Sequence, residues 1–200
     1  MAEFGRNLVI LPQILAKSSM SSIKIKDKTF KVSIPEAQIK ARVKELAQQM
    51  SRDLEGKNPL FLGVLNGAFI FAADLIREMT IPCEISFVKL ASYQGTTSTG
   101  SIKEIIGINE DLTGRTVVIV EDIVESGLTI RRMMDQLGTR NPASVQVCTL
   151  FFKPERLKED LKLDYVAFEI PNDFILGYGL DYDQQARGLK DIYTLVSEEG

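Results

Sequence analysis

Thr116-Val117-Val118-Ile119-Val120-Glu121-Asp122-Ile123-Val124-Glu125-Ser126-Gly127-Leu128-Thr129 is the stretch on which the fold turns. Val117–Val120 is short, unbroken and rich in β-branched residues, the pattern of a strand buried on both faces of a parallel sheet. Glu121 and Asp122 follow where such a strand emerges at its carboxyl edge, the edge at which open α/β sheets bind ligands. Glu125–Thr129 then leads into Thr129–Leu137, whose apolar spacing predicts an amphipathic helix. A Gly and a small hydroxyl residue in a strand-to-helix turn let backbone N–H groups approach an anion closely, and the helix dipole adds to the attraction. One turn thus offers carboxylates suited to sugar hydroxyls or a divalent cation, beside a cradle suited to phosphate. A phosphorylated sugar needs both. On the residues alone, solvated strand-end charges with a simple helix cap remain the competing reading. A Walker A loop and a dinucleotide fingerprint are both absent, since G-x-x-x-x-G-K-[ST] does not occur and the turn holds a single Gly.

Two hundred residues suit one domain that buries roughly 70% of its extended surface. A net charge of -3 argues against a protein built to coat nucleic acid. The chain has no His and no Trp, which excludes Ser-His-Asp and Cys-His catalysis and every His-ligated metal site. A metal here is a hard cation held by oxygens, such as Mg²⁺, through one or two carboxylates plus substrate phosphates. Cys83 and Cys148 lie in apolar runs without CxxC spacing and read as buried core residues of a reducing cytoplasm.

Residues 1–22 read as an N-terminal extension or tag, with Met20 as an alternative start; Leu8–Leu15, broken by Pro12 and Gln13, is too short to span a bilayer. Ser33-Ile34-Pro35-Glu36 has the form of a capping box before a helix marked by Ile39, Val43, Leu46, Ala47, Met50 and Leu54. Leu60–Val64 is a buried strand, and Leu65-Asn66-Gly67-Ala68 follows at the same sheet edge before the helix Phe69–Arg77. By itself that segment is an Asn-Gly turn. Cys83–Leu90 alternates as a strand, and the polar loop Ala91–Ser101 before the strand Ile102–Ile108 is either a linker or a lid. Val145–Phe152 is another buried strand ending at Lys153, which alone would be a solvated rim charge; Pro154–Leu163 is a charged, exposed connection. Tyr165–Ile170 is strand-like, and Phe174-Ile175-Leu176-Gly177 is an apolar loop after a Pro-Asn-Asp turn.

The thirteen residues VVIVEDIVESGLT resemble the phosphoribosyl pyrophosphate motif of the type I phosphoribosyltransferases, and the C-terminal segments are similar to those of the hypoxanthine-guanine branch, from about Ile23 to Glu198. The resemblance implies an α/β type I phosphoribosyltransferase fold, a mostly parallel central sheet flanked by helices. It implies one domain over residues 23–200, with a small hood largely from 165–190. It assigns Leu65, Asn66 and Gly67 to the pyrophosphate through backbone amides, often across a non-proline cis peptide. Mammalian members carry Lys where this chain has Asn66. Ser92 and Tyr93 match a mobile loop that closes over the site. Glu121, Asp122, Ile123, Val124, Ser126, Gly127, Leu128 and Thr129 line the phosphoribosyl group. Glu121, Asp122 and Asp181 contact Mg²⁺, Lys153 hydrogen-bonds the purine 6-oxo group, Phe174 stacks on the base, Ile175 reads its edge through backbone groups, and Arg187 grips pyrophosphate. Glu125 stands where the family usually places Asp as acid/base partner of the purine N7, and is one methylene longer.

The activity the resemblance implies is transfer of phosphoribose from phosphoribosyl pyrophosphate to hypoxanthine, with guanine a second acceptor, in a cytoplasmic homodimer or homotetramer that touches neither membrane nor nucleic acid. Catalysis would rest on Glu125, Lys153 and Arg187, with positioning and electrostatics dominant because the chain has no activated nucleophile. Two alternatives stand at this stage. One is a phosphoribosyltransferase for xanthine or a pyrimidine; the other is an RNA-binding pyrimidine-operon regulator of the same fold, which would need a basic face.

Overall fold

A computed structural model describes residues 22–91 and 103–196. The main sheet joins β3 (Leu60–Leu65), β4 (Glu84–Ala91), β5 (Lys103–Ile106), β6 (Thr116–Val124), β7 (Ser144–Phe152) and β8 (Tyr165–Glu169) in the spatial order β5-β4-β3-β6-β7-β8. All neighbours are parallel except β5, which is an antiparallel edge strand. Helices α1 (Glu36–Asp53) and α2 (Phe69–Glu78) cover one face and α3 (Leu128–Gly138) the other. The two-residue period of the strands divides the core. Phe61, Val118 and Val120 pack under Ile39, Val43, Leu46, Met50, Phe71 and Leu75, whereas Leu60, Leu62, Val117 and Ile119 meet Ile130, Met133 and Leu137.

The connection order reverses at the middle of this sheet. From β3 the chain crosses through α2 to β4 on one side, while β6, β7 and β8 build outward on the other. The strands also part there. β3 pairs with β6 only as far as Gly63 opposite Val120; beyond this, Leu65 pairs with Lys89 of β4, and Val124 with Phe152 of β7. The carboxyl ends of β3 and β6 therefore diverge, opening a crevice at the topological switch point where such sheets bind ligands.

The strand β6 runs through Val124, so Glu121 and Asp122 belong to the strand rather than to the loop after it. Pairing with β7 continues past the last apolar residue of the run and holds them extended. The capping box is not formed. Ser33 lies in β2 (Lys28–Ile34), where its Oγ donates to the Ile192 carbonyl at 3.3 Å, and the Glu36 N–H is capped by Asp191 Oδ1 at 2.7 Å. A residue 155 positions away supplies the cap, because Pro35, the N-cap, has no side-chain acceptor.

A second sheet joins β1 (Ser22–Ile25), β2, β9 (Ile175–Leu176) and β10 (Ile192–Leu195) in the order β1-β2-β10-β9, all antiparallel. This second sheet is built half from the N-terminal hairpin and half from residues after Phe174. Tyr165–Glu169, expected in a hood, extends the main sheet beside β7. There Tyr165, Ala167 and Phe168 are buried in the core beneath α1. Among the described residues no helix is long and apolar enough to cross a membrane.

Candidate active site

Four loops converge on the crevice. The first follows β3, where the Leu65–Asn66 peptide is cis. Gly67 lies so close to β6 that a Cβ built on it would stand 1.6 Å from Asp122 Oδ2. No side chain can be placed there without moving the carboxylate. A third element closes the same corner: a Cβ on Gly179 would stand 2.1 Å from the Gly67 carbonyl oxygen. Its φ of +104° separately favours glycine.

Glu121 is buried and Asp122 half-buried beside it, with the Asp122 N–H donating to Glu121 Oε1 at 3.3 Å. Glu121 is 8% exposed, and burial, with Asp122's charge beside it, pushes its carboxyl well above the usual carboxylate range. Burial also raises Asp122, against the pull of a hydrogen bond from the Ile123 N–H at 2.9 Å and of the nearby Arg187 guanidinium. Two oxygen-rich groups that resist ionisation together are the donor set that a hard divalent cation would hold ionised. Among the described residues no group of three or more His, Cys, Asp or Glu could form a metal cage from protein alone. The fit is therefore to a cation that takes its remaining ligands from water and substrate.

The turn after β6 brings a left-handed glycine and the start of a helix together. Gly127 is left-handed at φ +81° and leads directly into α3, which begins at Leu128, one residue before the predicted start. The first N–H groups of a helix have no intrahelical acceptor and face outward at the positive end of its dipole. Leu128 N–H reaches Ser126 Oγ at 3.4 Å, and Thr129 is exposed. The connection after β7 is exposed at most positions, as expected, and its leucines also underpin this turn. Leu157 and Leu161 pack on the α3 core, Lys158 N–H donates to the Ser126 carbonyl at 3.1 Å, and a Cβ on Gly127 would meet Leu161 Cδ1 at 2.6 Å. Val124 is buried under α3 and Ile123 packs toward α1 and α2, so of these two only the backbone can face a ligand.

At the far end of the turn, Lys153 Nζ lies 2.5 Å from Glu125 Oε1. Lys153 is only 5% exposed, so it is not the rim charge that its strand-end position alone suggests. Its N–H donates to the Val124 carbonyl, fixing it beside the turn. Phe174 is 42% exposed, set edge-on to Tyr182 at 5.8 Å between ring centroids and 6.1 Å from Phe30. The Lys28 ammonium lies 5.8 Å from the Phe174 ring centroid and 5.2 Å from that of Tyr182. Ile175 is buried in β9. Arg187 donates to the Gly179 carbonyl at 2.8 Å and pairs with Asp181 at 2.7 Å. The other Asp181 oxygen accepts the Gln184 N–H, so both oxygens are engaged. Ser92 and Tyr93 lie outside the described residues. Phe30, Lys28 and Tyr182 were not anticipated beside Phe174. The alternation of S-I-K-I-K-D-K-T-F-K-V-S-I was the available signal for the hairpin that carries two of them.

The family model of the phosphoribosyl transferase domain matches residues 35–183, most of the chain. The chain belongs to the phosphoribosyltransferase family. This phosphoribosyltransferase is 42% identical over 171 residues to the hypoxanthine phosphoribosyltransferase of Salmonella typhimurium, covering 84% of this chain and 96% of the relative. It is 42% identical to the hypoxanthine-guanine phosphoribosyltransferase of Mycobacterium bovis, over 79% and 82% of the two chains. The crystal structure of a hypoxanthine-guanine phosphoribosyltransferase from Bacillus anthracis superposes with a TM-score of 0.79 at 42% identity, covering 86% of this chain and all of that one. The type I fold expected from the motif is the phosphoribosyltransferase fold observed.

Proposed function

We propose that the protein is a purine salvage enzyme that transfers 5-phosphoribose from phosphoribosyl pyrophosphate to a ring nitrogen of hypoxanthine, and of guanine as second acceptor. The bond from the anomeric carbon to the diphosphate oxygen breaks, a carbon–nitrogen bond forms, and inosine or guanosine monophosphate leaves with diphosphate. The observation that carries this reading is the meeting of the Gly67 backbone, the Asp122 carboxylate and the Arg187-bearing turn in one crevice. Naming of the relatives as hypoxanthine or hypoxanthine-guanine phosphoribosyltransferases supports the choice of base.

In this reading Ser126–Thr129 receive the 5′-phosphate on the first amides of α3, while Glu121 and Asp122 hold the ribose hydroxyls. Both acids would also hold Mg²⁺, which when bound offsets the negative charge of the departing diphosphate. The amides of Leu65, Asn66 and Gly67, with the planar guanidinium of Arg187, take the diphosphate itself. Asp181 orients Arg187 and would reach the cation only by giving up one of its present partners. Phe174 supplies a flat apolar face for the base, Ile175 presents backbone groups to its edge, and Lys153 donates to the 6-oxo oxygen. Glu125 takes the imidazole proton from N7 as the other ring nitrogen bonds to the sugar, and passes it to solvent or the departing diphosphate; its pairing with Lys153 keeps its carboxylate at that edge. A buried Lys donates to a 6-oxo group and has nothing to offer a 6-amino group, which favours oxopurines over adenine.

A spectrophotometric assay with hypoxanthine, guanine, xanthine and uracil, each with Mg²⁺ and phosphoribosyl pyrophosphate, tests the proposal. Turnover of hypoxanthine is expected. Turnover of uracil or xanthine in its place, or of none of the four, would overturn it.

A further inference from the structure

Residues 177–180 form a turn whose shape is unusual for a buried segment. Gly177, Tyr178 and Gly179 have φ of +99°, +48° and +104°, three consecutive left-handed residues of which the middle one is not glycine. The turn is wedged between two carbonyls. A Cβ on Gly177 would stand 2.1 Å from the Asp191 oxygen, and one on Gly179 2.1 Å from the Gly67 oxygen. Tyr178 is 2% exposed and packs in the core beneath α1 and α2. Its hydroxyl donates to Asp74 Oδ2 of α2 at 2.6 Å. Asp74 Oδ1 also faces Arg77 at 3.7 Å, one turn along the same helix.

The connectivity gives this hydrogen bond a purpose. Helix α2 begins directly after the Leu65–Ala68 loop, so one end of it carries the cradle proposed for the diphosphate. Its second turn carries Asp74, which holds Tyr178. The neighbouring Gly179 rests on the Gly67 carbonyl and accepts the Arg187 guanidinium at 2.8 Å, while its N–H donates to the Arg187 carbonyl at 2.9 Å. Loop, helix, tyrosine, glycine and arginine form a closed circuit around the corner of the crevice. We infer that Tyr178 and Asp74 are positioning residues, a strut that sets the spacing between the Leu65–Gly67 amides and Arg187. This rests on the function proposed above and adds two residues that touch neither substrate. Burial and the adjacent Asp74 carboxylate raise the Tyr178 hydroxyl, so it stays protonated and donating across the working pH range.

The test uses the full chain with Tyr178→Phe, Asp74→Asn and Asp74→Ala. Each loss of the charge-assisted bond should raise KM for phosphoribosyl pyrophosphate by about tenfold. KM for hypoxanthine should stay unchanged, a split that a general loss of stability does not produce. Asp74→Asn keeps an acceptor oxygen and should be milder than Asp74→Ala, and Tyr178→Phe combined with Asp74→Ala should be no worse than either alone. Amide exchange at residues 66–67 and 177–180 should quicken in step. If Tyr178→Phe cannot be purified folded, the two variants at the part-buried Asp74 of α2 give the same readings. Wild-type KM for phosphoribosyl pyrophosphate in Asp74→Ala, or equal rises for both substrates, would overturn the strut. Failure of the wild type to turn over hypoxanthine would instead refute the proposed function, and the exchange rates would still report whether the strut holds the loop.

Discussion

The sharpest consequence of the crevice geometry concerns Gly67→Ala, the smallest change that can be made there. A Cβ at this position would lie 1.6 Å from Asp122 Oδ2 and 2.4 Å from its Cγ. Ordinary C···O contacts begin near about 3.3 Å, so the carboxylate or the loop must retreat by roughly 1.7 Å. Asp122 is half-buried and held through its other oxygen by the Ile123 N–H at 2.9 Å, which opposes its retreat, while Gly67 is pinned from behind by Gly179. A misplacement of about 1 Å in a positioned group costs on the order of 10²-fold in rate. The expected loss in kcat/KM for phosphoribosyl pyrophosphate is therefore at least about 100-fold, or roughly 2.7 kcal/mol of transition-state stabilisation. Overpacking costs about 1–3 kcal/mol, which for a chain of this size lowers Tm by roughly 2–12 °C. The assay is initial velocity against phosphoribosyl pyrophosphate at fixed Mg²⁺ and hypoxanthine, beside a melting curve. Gly138→Ala is the control, since a Cβ there meets nothing within 4 Å and alanine only improves the end of α3. A Gly67→Ala enzyme with unaltered kinetics would refute the reasoning, because the contact on which the site is built would then not exist in solution.

Four further outcomes follow from the same residues. Glu121 and Asp122 titrate above their unfolded values of 4.5 and 3.8, so the fold favours their protonated forms. Their contribution to stability is present below those values and is lost as pH rises through the raised folded ones. Glu121→Gln should accordingly raise the metal-free Tm at neutral pH and flatten its decline with pH while abolishing turnover; an unchanged pH dependence of Tm would contradict the assignment. Glu125→Gln should lower kcat far more than it weakens binding of phosphoribosyl pyrophosphate, measured by steady-state kinetics and titration calorimetry, and unaltered kcat would remove Glu125 from the proton-transfer role. Phe174→Ala removes an exposed ring, so Tm should hold while KM for hypoxanthine rises by about 2–12-fold, the worth of an aromatic stack; a fall in Tm without a change in KM would make Phe174 a packing residue. Gly127→Ala forces a left-handed φ on alanine and drives its methyl into Leu161, so both Tm and the affinity for the 5′-phosphate should drop, which inosine monophosphate binding reads directly.

Much of this was legible in the chain because the signals are local. An apolar β-branched run followed by acids and a Gly-containing turn predicts strand, sheet edge and helix, and β3, β6, β7, α2 and α3 fall within a residue or two of the expected limits at most ends. Pairing partners are not local, and there the reading stopped short. Whether Glu121 and Asp122 are loop or strand depends on β7, which continues to pair with β6 at Glu121, Ile123 and Val124. Ser33-x-x-Glu36 satisfies the capping pattern, yet the cap comes from Asp191, and no short-range rule could locate it. Lys153 read as a solvated end because burial by neighbouring elements is invisible in a strand's own sequence. The second sheet was hardest. Its four strands come from opposite ends of the chain, and β9 has only two residues, too few to carry a periodicity. The juxtaposition of Gly67, Asp122 and Gly179 is likewise a three-body contact among segments more than fifty residues apart.

In the proposed function the sugar diphosphate sits in the crevice between β3 and β6. Titration calorimetry of phosphoribosyl pyrophosphate with Mg²⁺ into wild type and Asp122→Ala tests that with no dependence on the base or on turnover. The prediction is saturable one-to-one binding to wild type and a loss of at least about tenfold in affinity in Asp122→Ala, the scale of a charge-assisted contact. Equal affinity in the two proteins would contradict it.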